Sequence, residues 1–148
     1  MAESTLVVAK TRAALVAYLT AANIGTDNIY DEKRSGDKAT PNVSCGASEA
    51  EEDDDLPGTG NFWVTAEVRV KHIAAVDADG VDPKPTSEAL AKAVLNALEV
   101  SDLAEQLSAA TPDYAVQGLG AGEISSEIDE NCWVDVWRRR LYCCASSL

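Results

Sequence analysis

The residues with the greatest chemical potential lie at the end of the chain, in WVDVWRRRLYCCASSL (133–148). Arg138, Arg139 and Arg140 stand in a row between two tryptophans and a pair of adjacent cysteines. Arginines can bind phosphate bidentately, and closely spaced thiolates can bind metal or change redox state. In a strand, however, successive side chains point to opposite faces, so Arg139 faces away from the other two arginines.

Carboxylates surround this arginine run, with Glu127, Asp129, Glu130 and Asp135 close to it in sequence. A nucleic-acid surface concentrates its basic residues on one face, together with further basic residues nearby. The pattern instead favours cross-strand or intersubunit ion pairs, and Glu67 or the acidic segment at 49–55 would supply the carboxylates.

The cysteines lack the spacing of a metal site. Cys143 and Cys144 are adjacent, Cys45 and Cys132 are distant from them in sequence, no CxxC pair occurs, and His72 is the single histidine. Zinc sites pair their ligands two or more residues apart. We therefore expect small buried thiols that hold no metal and form no obligatory disulfide.

An acidic run precedes the clearest strand. Its members are Glu49, Glu51, Glu52, Asp53, Asp54 and Asp55. A calcium loop needs a fixed turn and a later glutamate, and the only partial match, DADG at 77–80, lacks that glutamate. The sequence therefore predicts an exposed acidic arm between two strands.

Signals of catalysis are weak. The sequence has no Gly-rich phosphate loop after a strand, no GxSxG and no HExxH, and GLGAG at 118–122 precedes a strand-like segment rather than a helix. With one histidine there is no ordered acid–base pair. We expect a protein that is not an enzyme and uses no cofactor.

Length, charge and hydrophobicity limit the number of domains, the partners and the location that can be expected. The 148 residues suit one domain, 1–148, and the net charge is −13, from 12 basic and 25 acidic residues. That charge disfavours free nucleic acid; it fits either simple solubility or the wall of a pore that DNA passes without sticking. The N-terminus shows no targeting signal and no apolar run is long enough for a membrane span, so a cytoplasmic origin is expected.

Periodicity predicts the elements that position these residues. Residues 4–24 suit a helix that Ser4 or Thr5 caps and Gly25 ends, and 25–40 suit a loop. Strands are predicted at 41–50 and 61–71, the second with strict alternation. The helix stripe consists of Val8, Leu15, Tyr18, Leu19 and Ala22.

Periodicity also predicts helices and strands in the second half of the chain. Residues 86–100 suit a helix with Leu90, Val94, Leu95 and Leu98 inward, and 101–110 suit a short helix. Strands are expected at 114–128 and 133–146, the latter with a bulge near the arginines. The fold class is therefore α+β: helices on a mostly antiparallel sheet of about four strands, with a long acidic hairpin arm.

This order of features resembles a known family. An N-terminal helix leads to PNVSCGASEAEEDD, an acidic arm, GNFWVTAEVRVKH, the helix TSEALAKAVLNAL, the glycine-broken YAVQGLG, and the final CWVDVWRRRLYC. It is similar over nearly the whole chain to the tail terminator and neck proteins of tailed bacteriophages. The resemblance rests on element order more than on invariant residues.

The resemblance implies a role in a virion. Family members form rings, commonly hexameric, that cap the tail tube and dock onto the neck while DNA passes through an acidic lumen. Partners would be further copies of the chain, the tube protein and a neck protein, with no membrane. A neighbouring head–tail connector or tail completion protein, or a small acidic cytoplasmic binding protein, are the alternatives.

The residues expected to contact another subunit or the tail tube lie on the strands predicted at 61–71 and 133–146. They are Trp63, Glu67, Arg69, Trp133, Trp137, Arg138 and Arg140.

Overall fold

The computed structural model describes residues 2–26, 28–32, 42–52, 61–71, 88–129 and 132–145. Its elements are α1 (Ala2–Ala21), β1 (Ile29–Asp31), β2 (Asn42–Glu52), β3 (Asn61–Lys71), α2 (Glu88–Leu98), α3 (Leu103–Ala110), β4 (Tyr114–Asp129) and β5 (Cys132–Ala145). The strands form one sheet in the order β1-β2-β3-β5-β4. The chain is therefore α+β, as the sequence predicts.

The sheet has five strands in the described part of the chain rather than about four. The additional strand is β1, which lies in the segment expected to be a loop and pairs in parallel with β2 through Ile29 and Val43. Arg12 of α1 holds it, with Nε 2.9 Å from Asp31 Oδ1. The other three strand pairs are antiparallel, so the expectation of a mostly antiparallel sheet is confirmed.

All three helices pack on one face of the sheet and share its core. The alternation in β3 is strict, with even-numbered residues from Phe62 to Val70 buried and odd-numbered residues half-buried. The cluster continues from β3 into the helices and the other strands, where its fully buried members include Val7, Leu15, Leu19, Val43, Val94, Leu98, Leu103, Leu107, Leu141 and Cys143. Each large side chain moved from water into this layer contributes about 1.5–3 kcal/mol.

Helix α1 differs from the expectation at both ends. It begins at Ala2, so Ser4 and Thr5 lie inside its first turn rather than at its cap. It ends at Ala21, and the first left-handed residue after it is Asn23 (φ 55°), ahead of Gly25 (φ 104°). Asparagine tolerates this conformation better than most residues, which explains the earlier stop.

The buried stripe of α1 is also shifted from the predicted one, because Ala22 is exposed. Its buried members are Val7, Thr11, Ala14, Leu15 and Leu19.

Helices α2 and α3 match the prediction more closely. Leu90, Val94 and Leu98 of α2 are buried and Leu95 packs at the edge of the core, while Leu103 and Leu107 of α3 are fully buried. Thr86 and Ser87, with which the predicted helix begins, lie outside the described residues.

Strand β5 runs between β3 and β4 without the predicted bulge. Its pairing with β3 is continuous from Cys144 opposite Asn61 to Val134 opposite Lys71. The register shifts lie instead in β4, between Val116 and Gly118 and between Leu119 and Gly122, as well as in β2. The bulge is unnecessary because β5 buries apolar residues on both faces, Val134 and Val136 on one and Trp137, Leu141 and Cys143 on the other, so they need not share one face.

A buried polar contact joins α1 to the last two strands. The Thr11 hydroxyl donates to the Val7 carbonyl at 2.8 Å and, 2.9 Å away, accepts from the Tyr114 hydroxyl. Cys143 Sγ lies 3.9 Å from the same oxygen. Burial raises the pKa of Tyr114, raises that of Cys143 to about 11, and raises that of Cys45 to about 12.

The raised pKa values of these buried side chains predict that the folded protein loses stability at alkaline pH. Each thiol ionises near 9.0 when unperturbed, so above pH 9 the unfolded chain loses protons that the folded chain retains. Their contribution to the free energy of unfolding is therefore complete below pH 9 and declines from there to about pH 11–12, by up to about 1.4 kcal/mol per pH unit per group. Urea unfolding at pH 8–11 checks this.

The matched variant is Cys45→Ala, which removes one such group. Its free energy of unfolding should fall less steeply with pH than that of the wild type. Parallel curves for the two proteins would contradict the prediction.

Candidate subunit interface

The face of the sheet opposite the helices, here called the open face, carries most of the predicted interface residues. No described helix packs on it. It presents the odd-numbered residues of β3 and the even-numbered residues of β5, because directly paired residues of antiparallel strands point the same way. Trp63 therefore lies beside Tyr142, and Glu67 lies beside Arg138.

Aromatic and cationic groups occupy one end of the open face. The rings of Trp63 and Tyr142 are 5.0 Å apart, and the guanidinium carbon of Arg140 lies 5.1 Å from the Trp63 ring centre. Arg140 also reaches Glu51 of β2, with Nη2 3.3 Å from Oε2. This cluster joins β2, β3 and β5 through side chains that are only partly covered.

The middle of the open face is a chain of ion pairs across three strands. Arg138 Nε lies 3.2 Å from Glu67 Oε2, and its Nη1 lies 3.3 Å from Glu123 Oε1 of β4. Glu67 Oε1 is 3.1 Å from Arg69 Nη1, and Arg69 also contacts Glu127. The expected pairing of the arginines with Glu67 and with the acidic segment is therefore present within the chain.

The Arg69–Glu127 pair covers apolar surface. It connects β3 to β4, which are not neighbours, so it must cross β5. Arg69 is opposite Val136, and Glu127 is opposite Val134. Both valines are almost fully buried although they do not belong to the main core cluster, and the methylene groups of long charged side chains can shield such surface.

Electrostatics favour the charged forms of these arginines. Burial alone would lower the pKa of Arg69, but its hydrogen bonds to Glu67 and Glu127 and their charges raise it above the usual value. For Arg138 burial likewise lowers the pKa, and Glu67 and Glu123 outweigh it. The two guanidiniums are permanent cations held between carboxylates.

Arg139 points to the helix side, as the alternation predicts. Its Nε donates to the Gly120 carbonyl at 3.2 Å, and its Nη1 lies 3.9 Å from Glu99 Oε2. All three arginines of the run thus have a carboxylate of the same chain within 4.0 Å. This arrangement leaves little positive surface for a phosphate backbone and argues against a nucleic-acid hook.

Trp137 does not belong to an exposed interface. It is 2 % exposed and lies opposite Val68 in the core, because it shares its face of β5 with Leu141 and Cys143. Trp133 is in phase with it and is partly exposed. The sequence analysis placed both tryptophans at a contact surface, and the burial of Trp137 corrects this for that residue.

The structure describes only part of the acidic segment. Strands β2 and β3 form the expected hairpin, with Glu51 opposite Trp63 and Glu52 opposite Phe62. Both glutamates are exposed. Asp53, Asp54 and Asp55, together with the side chain of Glu49, lie outside the described residues.

The glycines of β4 have a function that the sequence analysis missed. The sequence pattern treats Gly118 and Gly120 as breaks in the strand, but both lie within β4 and neither has a positive φ. A Cβ on Gly120 would lie 2.9 Å from Trp63 Cζ3 and 3.1 Å from Arg140 Cβ. Because Gly120 has no side chain, the Trp63 indole of β3 can extend over β5 as far as β4. The need for glycine at this position depends on a contact between distant residues, so local sequence patterns do not show it.

A hollow of about 220 Å³ lies beside the arginine run. It is lined by Thr65, Ala121, Gly122, Glu123, Arg138, Arg139 and Arg140. Glu123 is one of the lining residues, and all three arginines are already paired with carboxylates, so the hollow offers no free anion site. The described residues contain no group of three metal-ligating side chains, and Cys45, Cys143 and Cys144 are free thiols.

Comparison with protein families gives no match, and comparison with curated proteins gives none either. Among solved structures, one similar chain belongs to a structure described as the virion of a native gene transfer agent particle. It is 24 % identical, the match covers 84 % of each chain, and the TM-score is 0.43. A TM-score this low establishes neither a shared fold nor a function. None of the described helices is long and apolar enough to cross a bilayer.

The fit of Trp63 over β4 predicts a large difference between two glycine variants. Gly120→Ala should lower the free energy of unfolding by about 1–3 kcal/mol, because the indole and Arg140 must shift. Gly118→Ala is the matched control, since its Cβ would meet only Tyr142 Cβ at 3.8 Å. Urea denaturation measures both, and equal effects would contradict the fit.

The ion pairs of the open face predict that two carboxylates contribute unequally to the free energy of unfolding. Glu67, whose side chain is 25 % exposed, is shared by two arginines, whereas Glu51 is 69 % exposed and contacts only Arg140 among the described ion pairs. Glu67→Gln should cost about 1–3 kcal/mol, and Glu51→Gln less than about 0.5 kcal/mol. Urea midpoints at constant m-value test this, and a larger cost for Glu51→Gln would contradict it.

Proposed function

We propose that this chain is a structural virion protein of a tailed bacteriophage or phage-like particle, and that it has no catalytic activity. In this role it forms a ring, hexameric by the resemblance, that terminates the tail tube and joins it to the neck. The observation that carries the proposal is the order of elements: a helix, a three-residue strand, an antiparallel strand pair, two helices and a second antiparallel strand pair. This is the order on which the family resemblance depends.

The charge distribution supports passage of DNA rather than binding to it. The chain has a net charge of −13, and the one run of arginines is paired with glutamates of the same chain. Copies of such a subunit around a ring would repel the phosphate backbone from the lumen. The acidic segment that includes Glu51 and Glu52 is the part of the chain that we assign to the lumen.

The open face supports assembly. Trp63 and Tyr142 are only partly covered, and they adjoin Arg140; aromatic residues and arginine are the types that protein interfaces favour. Because its ion pairs are already formed within the subunit, this face can meet a partner without leaving a charge unpaired. We assign it to contact with the tube or neck protein.

The test is the location of the chain in particles. We expect it to co-purify with tailed particles from cells that carry its gene, and antibody labelling should place it where head and tail meet. Cells lacking the gene should release heads and tails that do not join, and supplying the chain should restore joining. Recovery of the chain only in the particle-free fraction, with normal particles in its absence, would refute the proposal.

A further inference from the structure

The two edges of the sheet are unequal. Strand β1, at one edge, has 3 residues, and β4, at the other, has 16. Helix α3 covers the beginning of β4, where the Val116 N–H donates to Ser108 Oγ at 2.8 Å. Beyond that point no described strand lies outside β4.

The second half of β4 is a regular and exposed edge. Its register with β5 is continuous from Gly122 to Asp129, after the irregular part of the strand. Residues 121–127 are all exposed, and Ile124, at the midpoint of this run, has 52 % of its surface exposed. Proteins usually protect such an edge with lysine, proline or a bulge, and 122–129 contains none of these.

The carboxylates of this edge are held toward the sheet. Glu123 Oε1 lies 3.3 Å from Arg138 Nη1 of β5, and Glu127 reaches across β5 to Arg69 of β3. Both charges are balanced within the subunit, so the edge needs no cation from a partner and its repulsion of a second acidic strand is reduced. Among the described residues, the outer side of the backbone and the exposed part of Ile124 are what a partner strand would cover.

The symmetry of the exposed run favours a second copy of the same strand as that partner. An antiparallel copy of 121–127 centred on Ile124 covers the whole run and places the two isoleucines directly opposite each other. Apolar side chains opposite each other stabilise a strand pair. Each copy would thus cover the large apolar side chain that the other leaves exposed.

The positions of the carboxylates select this register from its neighbours. Opposite residues of antiparallel strands point the same way, so the two-fold axis must pass through a residue. An axis through Glu123 or Glu127 would place that glutamate opposite itself, and an axis through position 125 or 126 would place Glu123 opposite another acidic residue. An axis through Ile124 places Glu123 opposite Ser125, and position 127 opposite position 121, which is alanine.

A second hollow, of about 290 Å³, adjoins this part of the edge. It is lined by Glu99, Gly122, Glu123, Ile124 and Arg139. Gly122 contributes no side chain to it, and in the register centred on Ile124 the residue opposite Gly122 is Ser126 of the second copy. Ile124 of the second copy is next on the same face, so the hollow gives its side chain room beside the first isoleucine.

We propose that the edge of β4 pairs with the same edge of a second copy of this chain, antiparallel from Gly122 to Ser126 about a two-fold axis at Ile124. The contact joins the two sheets into one. Because a contact between identical surfaces closes after two copies, it cannot build a larger ring by itself. The inference therefore goes beyond the proposed function and describes an additional contact of the chain.

Disulfide trapping tests the register. In a chain that carries Cys132→Ser and Cys144→Ser, the remaining thiols, Cys45 and Cys143, are buried. Adding Ile124→Cys should give a covalent dimer on mild oxidation at up to about 1 mM chain, because opposite Cβ atoms lie about 4.5–5.5 Å apart.

Ser126→Cys in the same background is the matched control. In the proposed register position 126 and its copy are four residues apart along the strands, or about 14 Å, too far for a disulfide. Non-reducing electrophoresis measures both yields. A dimer at 124 with little at 126 supports the proposal; equal yields, a larger yield at 126, or no dimer at 124 would each overturn it.

Charge exchange at the axis provides the second readout. Ile124→Lys and Ile124→Glu each place like charges opposite each other, so each variant alone should raise the Kd of self-association at least about tenfold. An equimolar mixture of the two should associate at least about tenfold more tightly than either alone. Sedimentation equilibrium measures these constants, and circular dichroism of dilute samples verifies that each variant is folded.

Ala13→Lys, at an exposed position of α1, is the control and should leave the Kd unchanged. Self-association that neither change at 124 weakens, or a mixture no tighter than the separate variants, would show that Ile124 does not face its own copy and would overturn the proposal.

The result is separable from the virion role, because these measurements use the purified chain alone. If particles contain the chain but no dimer forms through position 124, the proposed function stands and this contact is wrong. If the dimer forms as described while no particle contains the chain, the contact stands and the virion role is wrong.

Discussion

The rest of the structure depends on the position of β5 between β3 and β4, with apolar residues buried on both of its faces. One face packs Trp137, Leu141 and Cys143 against the core. The other carries Val134 and Val136 beneath the Arg69–Glu127 pair, and then Arg138 and Arg140. Because successive side chains of β5 point to opposite faces, they lie in two different environments: an apolar layer under the helices, and a network of ion pairs and aromatic rings on the open face.

That network resolves the question raised by three consecutive arginines in an acidic chain. Each guanidinium has a carboxylate of the same chain within 4.0 Å, and those carboxylates come from β2, β3, β4 and the end of α2. Partly exposed ion pairs contribute little individually. As a network they fix the side chains of the open face, because Glu67 contacts an arginine on each side and Arg140 lies over the Trp63 ring, for which Gly120 leaves room.

Much of this could be predicted from sequence, because it follows from local periodicity. The alternation in β3, the inward leucines of α3 and the opposite facing of Arg139 are all properties of single segments. The missed features depend on distant partners. Strand β1 has three residues and exists through β2 and Arg12, the burial of Trp137 depends on Val68, and the need for glycine at position 120 depends on an indole 57 positions earlier in the chain.

Saturation of the open face by ion pairs limits what this face can gain electrostatically from any further contact. A charge already paired within the chain gains little from a partner and loses hydration on burial, so the centre of this face favours shape and aromatic contact over new ion pairs. Two carboxylates of the network lie on β4 and are partly exposed, Glu123 by 67 % and Glu127 by 45 % of their side chains. Because Glu123 and Glu127 already pair with Arg138 and Arg69, a cation brought to this edge would have to compete with an arginine of the same chain.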